Sequence, residues 1–267
     1  MNKHLLEHYL STLNIQKQKL SLKFVQEIQK KHLENFSFNS IAVLLGEEIS
    51  LEIEDIVEKI VTQKRGGYCF EHNALMHEVL RGLGFNVRLL VAKVLLNQDK
   101  DVPKTHRITL LYFKDEEYIV DVGFGANCPT FPIKITSLTE YDTYKLIQNK
   151  ENDYELELVT QNGHFTLYKF NLYNYTQADC IMGNFYSSNY KNAVFVNNLV
   201  VSLIFEKKIL SLRNKTYHQT FKNRKEVIKI TSFKQLYSIL QSDFYIPINE
   251  DESKKLFEKI TEIKDKT

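Results

Sequence analysis

Between residues 20 and 84 the apolar positions recur at three- and four-residue steps. LSLKFVQEIQKKHL sets Leu20, Phe24, Val25 and Ile28 on one face, and LEIEDIVEKIV does the same with Ile53, Ile56, Val57 and Ile60. That spacing predicts amphipathic helices, with Ser50 as the N-cap of the second. CFEHNALMHEVLRGLG carries a third stripe, Leu75, Met76, Val79, Leu80 and Leu83, closed by Gly82 and Gly84. At Phe85 the period changes. FNVRLLVAKVLL, THRITLLYF, EYIVDVGF, YELELVT, HFTLYKFNLY and AVFVNNLVVSLIF are rich in β-branched and aromatic residues and are bounded by turn formers, so they read as strands. KDEE at 114–117 reads as a hairpin loop. From Thr231 the helical period returns in SFKQLYSILQ, capped by Thr231 or Ser232, and in ESKKLFEKITEI, with Leu256, Phe257, Ile260 and Ile263. Helices, then a strand-rich middle, then a mixed tail predict an α+β fold rather than an alternating parallel one. We divide the chain at 1–84, 85–190 and 191–267.

Composition narrows the class. With 267 residues, 43% hydrophobic and 25% charged, the chain can bury an ordinary core without disulfides or metal. The formal charge is +2, and the lysines are spread, so nothing points to a nucleic-acid or membrane partner. MNKHLLEHYLSTLN lacks the apolar run of a signal peptide, and LVVSLIF at 199–205 is too short to span a bilayer. The expected compartment is the cytoplasm. Cys69, Cys128 and Cys180 are odd in number and widely spaced, which fits reduced thiols and no metal site.

The stretch KRGGYCFEHN raises the chemistry. Gly66 and Gly67 permit a tight turn that a ligand could approach, and a helix starting at Cys69 would aim free N–H groups and a positive dipole end at the sulfur, favouring thiolate. A cysteine nucleophile needs a base, and the base an orienting acceptor. His4 and His8 lie in a polar helix, His72 and His77 follow the cysteine on its own helix, and His164 and His218 fall in loops or strand edges. His106 opens a strand behind Pro103-Lys104-Thr105, and the next strand carries Asp121 among apolar residues, where a charge must be paired. An even-membered hairpin loop puts His106 and Asp121 on one face. A loop at 114–117, pairing Phe113 with Tyr118, leaves Asp121 four residues from the position opposite His106, roughly 13 Å away at ~3.3 Å per residue. Beyond Asp121 the strand breaks at GFGANCPTFPI. Phe124 and Tyr68 are candidate pocket aromatics, although core filling is the commoner role of a single Phe, and the backbone at Gly125 can approach a ligand.

RGGYC at 65–69, THR at 105–107 and DVGFG at 121–125, in this order and spacing, resemble the arylamine N-acetyltransferase family. HLENFSFNSI at 32–41, which contains Phe38, resembles that family's H…PFENL region, and FYIPI at 244–248 its C-terminal segment, so the resemblance covers most of the chain. It implies a helical lobe, a β-barrel lobe and an α/β lid around a papain-like core. It implies Cys69 as the residue acetylated by acetyl-CoA, His106 as its base and Asp121 as the group orienting His106. The implied reaction is ping-pong N-acetylation of arylamines, arylhydrazines or arylhydroxylamines, with acetyl-CoA as a substrate and no tightly bound cofactor. Tyr68, Phe38, Phe124 and Gly125 would line the substrate pocket, and CoA would run past Val102 and Pro103. The chain departs from the family at SFNSI, where Pro and Glu are missing, at His72, where relatives often carry Gln, and at Ala126 and Cys128. Two other readings stay open: a papain- or transglutaminase-like peptidase or acyltransferase using the same triad, and a degenerate small-molecule binder on the same fold.

Overall fold

The computed structural model describes residues 1–98 and 101–262. The first third is helical: α1 (Lys3–Thr12), α2 (Leu22–Asn35), a two-residue strand β1 (Phe38–Asn39), α3 (Ile41–Leu45), α4 (Ile53–Val57) and α5 (Cys69–Leu83). Ser21 caps α2, taking the Phe24 N–H at 3.1 Å. Leu20 therefore precedes the cap, and 37% of it stays exposed rather than joining the buried stripe. Ser50 is not the cap of α4. Glu52 holds that position, and the Ser50 hydroxyl instead donates to Asp55 at 2.6 Å. The helix then widens into a π-turn over Glu58–Thr62, which puts Lys59 against Glu71. Gly84, at φ 100°, ends α5, whereas Gly82 lies inside it, where a side chain would press on Leu6. These helices share one core that includes Tyr9, Phe24, Ile28, Ile60, Leu75 and Met76.

The middle of the chain builds an eight-stranded antiparallel sheet from β2 (Asn86–Val94), β3 (Lys104–Phe113), β4 (Glu116–Val120), β5 (Ile133–Lys134), β6 (Leu138–Glu140), β7 (Tyr144–Gln148), β8 (Tyr154–Thr160) and β9 (Gly163–Phe170), in the order β5-β4-β3-β2-β9-β8-β7-β6. Alternation along β3 serves two cores. Ile108 and Leu110 enter the cluster inside the sheet, while Leu111 joins the helical core behind it.

The expected 114–117 loop is corrected. Phe113 faces Glu116, so the turn is only Lys114-Asp115, with φ 51° and 61°. Two consecutive positive φ values give the twist that matches a two-residue hairpin, here without the usual glycine. The position opposite His106 moves with it, to two residues from Asp121. At that diagonal offset long side chains meet across strands.

The helix α6 (Gln177–Asn189) was not expected. Its apolar Ile181, Met182 and Phe185 face outward and hide the helical period, although Thr176 and Asp179 mark its start, the Thr176 N–H donating to the Asp179 carboxylate at 2.7 Å. AVFVNNLVVSLIF is also not one strand. It is the short helix α7 (Val194–Asn197) followed by β10 (Val200–Ile204). The side-chain amides of Asn197 and Asn198 donate to the carbonyls of Ala193 and Val194, at 2.8 and 2.9 Å, and so stabilise the helical turn. The chain continues through β11 (Lys208–Arg213), β12 (Thr216–Phe221), β13 (Lys225–Lys229), α8 (Phe233–Ser242) and α9 (Glu250–Glu262). Ser232 is the α8 cap, accepting from Gln235 N–H. Leu256 and Ile260 of α9 are buried against the sheet β1-β10-β11-β12-β13, and Ile263 lies outside the described residues. The sheet of the last third thus begins with a strand from the first, since Phe38 pairs with Ser202. Among the described residues no helix is long and apolar enough to cross a membrane, and no group of three His, Cys, Asp or Glu side chains is placed to hold a metal ion.

Candidate active site

Cys69 is the first residue of α5, with Tyr68 in extended conformation before it. The entry is fixed from behind. Glu71, buried, takes the Tyr68 N–H at 3.0 Å and the Lys59 ammonium at 2.6 Å. Gly67 leaves room for that carboxylate, because a Cβ there would lie 2.8 Å from Glu71 Oε2. Gly66 has φ 67° and packs against the backbone of Ser37. The glycine pair therefore serves close approach by the chain's own segment 37–39 and by Glu71.

His106 and Asp121, 1% exposed each, meet directly: the His106 Nε2–H donates to Asp121 Oδ2 at 2.8 Å. Asp121 Oδ1 accepts from Asn73 Nδ2 and from the Gly123 N–H, both at 2.8 Å. Burial pushes this carboxyl up, but the His106 ring and these donors outweigh it and hold the pKa below its ordinary value. Nε2 is thereby spoken for, which leaves Nδ1 as the nitrogen on the other side of the ring.

The sulfur is drawn to the same strand. The Cys69 thiol donates to the carbonyl of Thr105 at 3.4 Å. Thr105 is the extra residue of a β-bulge, since Ala92 pairs with His106 and Lys93 with Lys104. Bulges re-aim the chain, and this one sends the carbonyl before His106 toward α5. The helix start favours thiolate, and the surroundings of the sulfur act against it. Burial first, then the Asp121 charge, push the thiol well above its ordinary range, against the pull of the Arg107 and Phe70 backbone amides.

Two residues that the sequence reading passed over tie the parts together. Asn73, one turn beyond Cys69, bridges three segments: Nδ2 donates to Asp121 and to the Arg107 carbonyl (2.6 Å), and Oδ1 accepts from the Val122 N–H (3.0 Å). Its only sequence signal is a polar residue inside the apolar face of α5. Gln29 Nε2 holds the next loop, donating to the carbonyls of Asp121 (3.0 Å) and Pro129 (2.8 Å). Gly123 closes the fit, since a Cβ on it would stand 2.8 Å from Cys69 Cα. Cys128 is a local brace, its thiol donating to the Asp121 carbonyl at 3.2 Å.

Aromatic rings box the site. Phe124 meets His106 edge-on at 5.0 Å, and Tyr168, unforeseen, lies 5.1 Å from the same ring. Phe38 shares an apolar cluster with Tyr68 and Cys69, and its ring sits 5.9 Å from Phe195 of α7, also unforeseen. Tyr68 is fully buried, its hydroxyl on Asn184 of α6. Gly125, at φ 71°, lies against Phe38 and Ser202. Val102 is partly buried and Pro103 exposed, both in the segment leading into β3.

A buried thiol, an imidazole locked on a carboxylate and an aromatic enclosure are the parts that cysteine acyl transfer uses. Residues 21–253 match the family model described as N-acetyltransferase. The chain is 31% identical to the arylamine N-acetyltransferase of Escherichia coli over 92% of this chain and 90% of that protein. It is 32% identical to the arylamine N-acetyltransferase / N-hydroxyarylamine O-acetyltransferase of Salmonella typhimurium over 87% of this chain and 86% of the relative. The solved structure of the Salmonella typhimurium arylamine N-acetyltransferase superposes with a TM-score of 0.89, covering 97% of this chain and 99% of that one at 28% identity. That of the Mycobacterium smegmatis enzyme gives 0.89 at 26% identity, with 99% of each chain covered. The chain belongs to the arylamine N-acetyltransferase family.

Proposed function

We propose that this protein moves an acetyl group from acetyl-CoA to the nitrogen of arylamines, arylhydrazines or arylhydroxylamines through an acetyl-Cys69 intermediate. The observation that carries it is the 2.8 Å His106–Asp121 pair beside a thiol whose hydrogen bond goes to the residue preceding that histidine. In the first half-reaction Cys69 Sγ attacks the thioester carbonyl. The S–H proton leaves the Thr105 carbonyl for His106 Nδ1, and the departing CoA sulfur then takes it. His106 acts as the base that takes the Cys69 proton. Asp121 keeps the ring in the Nε2–H tautomer and stabilises its cation. The N–H groups opening α5 are positioned to receive charge developing on the carbonyl oxygen. In the second half-reaction the amine nitrogen attacks acetyl-Cys69, its proton passes through His106, and the thiol is regenerated. Exchange of one thioester for another is nearly balanced, so the site's work lies in favouring amine over water. Phe38, Phe124 and Tyr68 supply the apolar wall for an aromatic acceptor, and Gly125 a close backbone approach. CoA runs past Val102 and Pro103.

Lobes at 1–84, 85–190 and 191–267 fit this reading, with the nucleophile in the first and its base and carboxylate in the second. Three unpaired thiols fit a reducing cytoplasm. Incubation with acetyl-CoA followed by intact-mass measurement tests the proposal. The parent protein gains one acetyl group and loses it on adding an aromatic amine, while Cys69→Ala gains none. A reduced parent protein that stays unmodified would sink it.

A further inference from the structure

A second histidine system lies behind the site and takes no part in the chemistry above. Tyr9 of α1, His32 of α2 and His72 of α5, each fully buried, form one continuous hydrogen-bond chain that ends on the carbonyl of Ser37. Its direction follows from its last member. A carbonyl only accepts, so His72 Nε2 carries a proton and donates to Ser37 O at 3.1 Å. Burial keeps the ring neutral, so His72 Nδ1 accepts and His32 Nε2–H donates to it at 2.7 Å. His32 Nδ1 accepts in turn from the Tyr9 hydroxyl at 3.0 Å. Every ring nitrogen is used once, and both rings are neutral. Burial, helped by their mutual repulsion at His32 and by Lys59 at His72, holds both below the ordinary histidine value, His72 at about 4, although Asp121 pulls His72 the other way. Glu71, on the same helix, is engaged by Lys59.

What the chain holds is the segment before β1. The Ser37 carbonyl that receives His72 also accepts the Gly67 N–H, and the next N–H but one, from Asn39, donates back to the Gly67 carbonyl at 2.6 Å. Phe38 sits between these anchors. Its ring lies nearly parallel to His72, 6.3 Å away, against Phe195, with Cys69 in the same apolar cluster. We propose that the Tyr9–His32–His72 chain positions the acetyl acceptor: by fixing the Ser37 carbonyl it sets Phe38 as the wall on which an aromatic amine lies beside Cys69. His72 is then a positioning residue for the second half-reaction, not a member of the proton-transfer set. This inference rests on the acetyl-transfer reading and deepens it.

The test compares His72→Leu, which removes both bonds, with His72→Gln, whose amide keeps one acceptor and one donor. Acetylation of Cys69 by acetyl-CoA, read by intact mass in single turnover, reports the first half-reaction. The acceptor KM with an aniline-type amine reports the second. In His72→Leu the acceptor KM is expected to rise about five- to tenfold, the factor that one lost hydrogen bond carries, while the acetylation rate stays within about twofold. His72→Gln is expected to restore the KM to within about threefold of the parent. Equal losses in both half-reactions, an unchanged KM in His72→Leu, or no rescue by glutamine would overturn the proposal. If the leucine variant fails to fold, the glutamine variant decides alone: a KM within about threefold supports the positioning role and a larger rise overturns it. A parent protein that does not acetylate Cys69 at all overturns the functional reading and this inference with it, and the separate readout of the half-reactions tells the two failures apart.

Discussion

Replacing Gly123 by alanine would push a methyl group into the backbone that carries the nucleophile. The added Cβ would stand 2.8 Å from Cys69 Cα and 2.7 Å from Asn73 Nδ2. Carbon atoms rest at about 3.5–4.0 Å, so the loop and the start of α5 must part by about 0.7–1.2 Å. The Asn73 side chain cannot simply yield, because its amide holds Asp121, the Arg107 carbonyl and the Val122 N–H together. The separation therefore falls between Cys69 on one side and the His106–Asp121 pair on the other. A misplacement of about 1 Å costs a well-oriented reaction on the order of 10²-fold, and overpacking of this kind destabilises by about 1–3 kcal/mol. Gly123→Ala should then slow acetylation of Cys69 about a hundredfold in a quenched-flow, intact-mass assay at saturating acetyl-CoA. Gly163→Ala is the control. It strains a φ of 109° in the β8–β9 turn with nothing within 4 Å of the new methyl, so it costs stability without touching the site. A Gly123→Ala protein that acetylates within about threefold of the parent, or a Gly163→Ala protein that slows as much, would refute the reasoning.

Three further outcomes follow from the same geometry. Asn73→Ala strands the buried Val122 N–H and removes one donor each from Asp121 Oδ1 and the Arg107 carbonyl, so chemical denaturation should show a loss of about 2–4 kcal/mol, and a loss under 1 kcal/mol would contradict the bridging role. Lys59→Met leaves the buried Glu71 carboxylate without its cation, and a cost of about 3 kcal/mol is expected by the same measurement. Acid should destabilise in two stages. His32 and His72 have folded pKa values depressed below the unfolded ~6.5, so the unfolded chain gains their protons first. Stability falls from about pH 6.5 toward the His72 value of about 4, by about 1.4 kcal/mol per pH unit for each ring. Asp121, also depressed, adds stability present above the unfolded ~3.9 and lost as pH falls through its folded value. Thermal melting at successive pH values checks this, and a midpoint flat from pH 6.5 to 4.5 would exclude neutral buried imidazoles.

The local pattern determined a good deal. Three-and-four spacing located α2, α5, α8 and α9, runs of β-branched and aromatic residues bounded by turn formers located β2, β3, β4, β8 and β9, and the order of these segments identified the α+β class. RGGYC, THR and DVGFG pointed to the family and to Cys69, His106 and Asp121 as candidates, because each motif is a short contiguous stretch. What the sequence could not decide involved groups distant along the chain or geometry without a residue signature. Lys114-Asp115 adopts a turn usually marked by glycine, so the register that brings Asp121 to His106 had to come from the packed sheet. Helix α6 turns its apolar residues outward, so its period was masked. The surroundings of Cys69 were only partly legible, because a helix start is a local feature, whereas burial and the Asp121 charge, which oppose ionisation, are properties of the assembled site. Asn73, Gln29 and the Tyr9–His32–His72 chain are polar side chains on otherwise apolar faces. Whether such a group is an error, a solvated edge or a bridge depends on the partner it meets, and only the tertiary structure brings that partner within 3 Å.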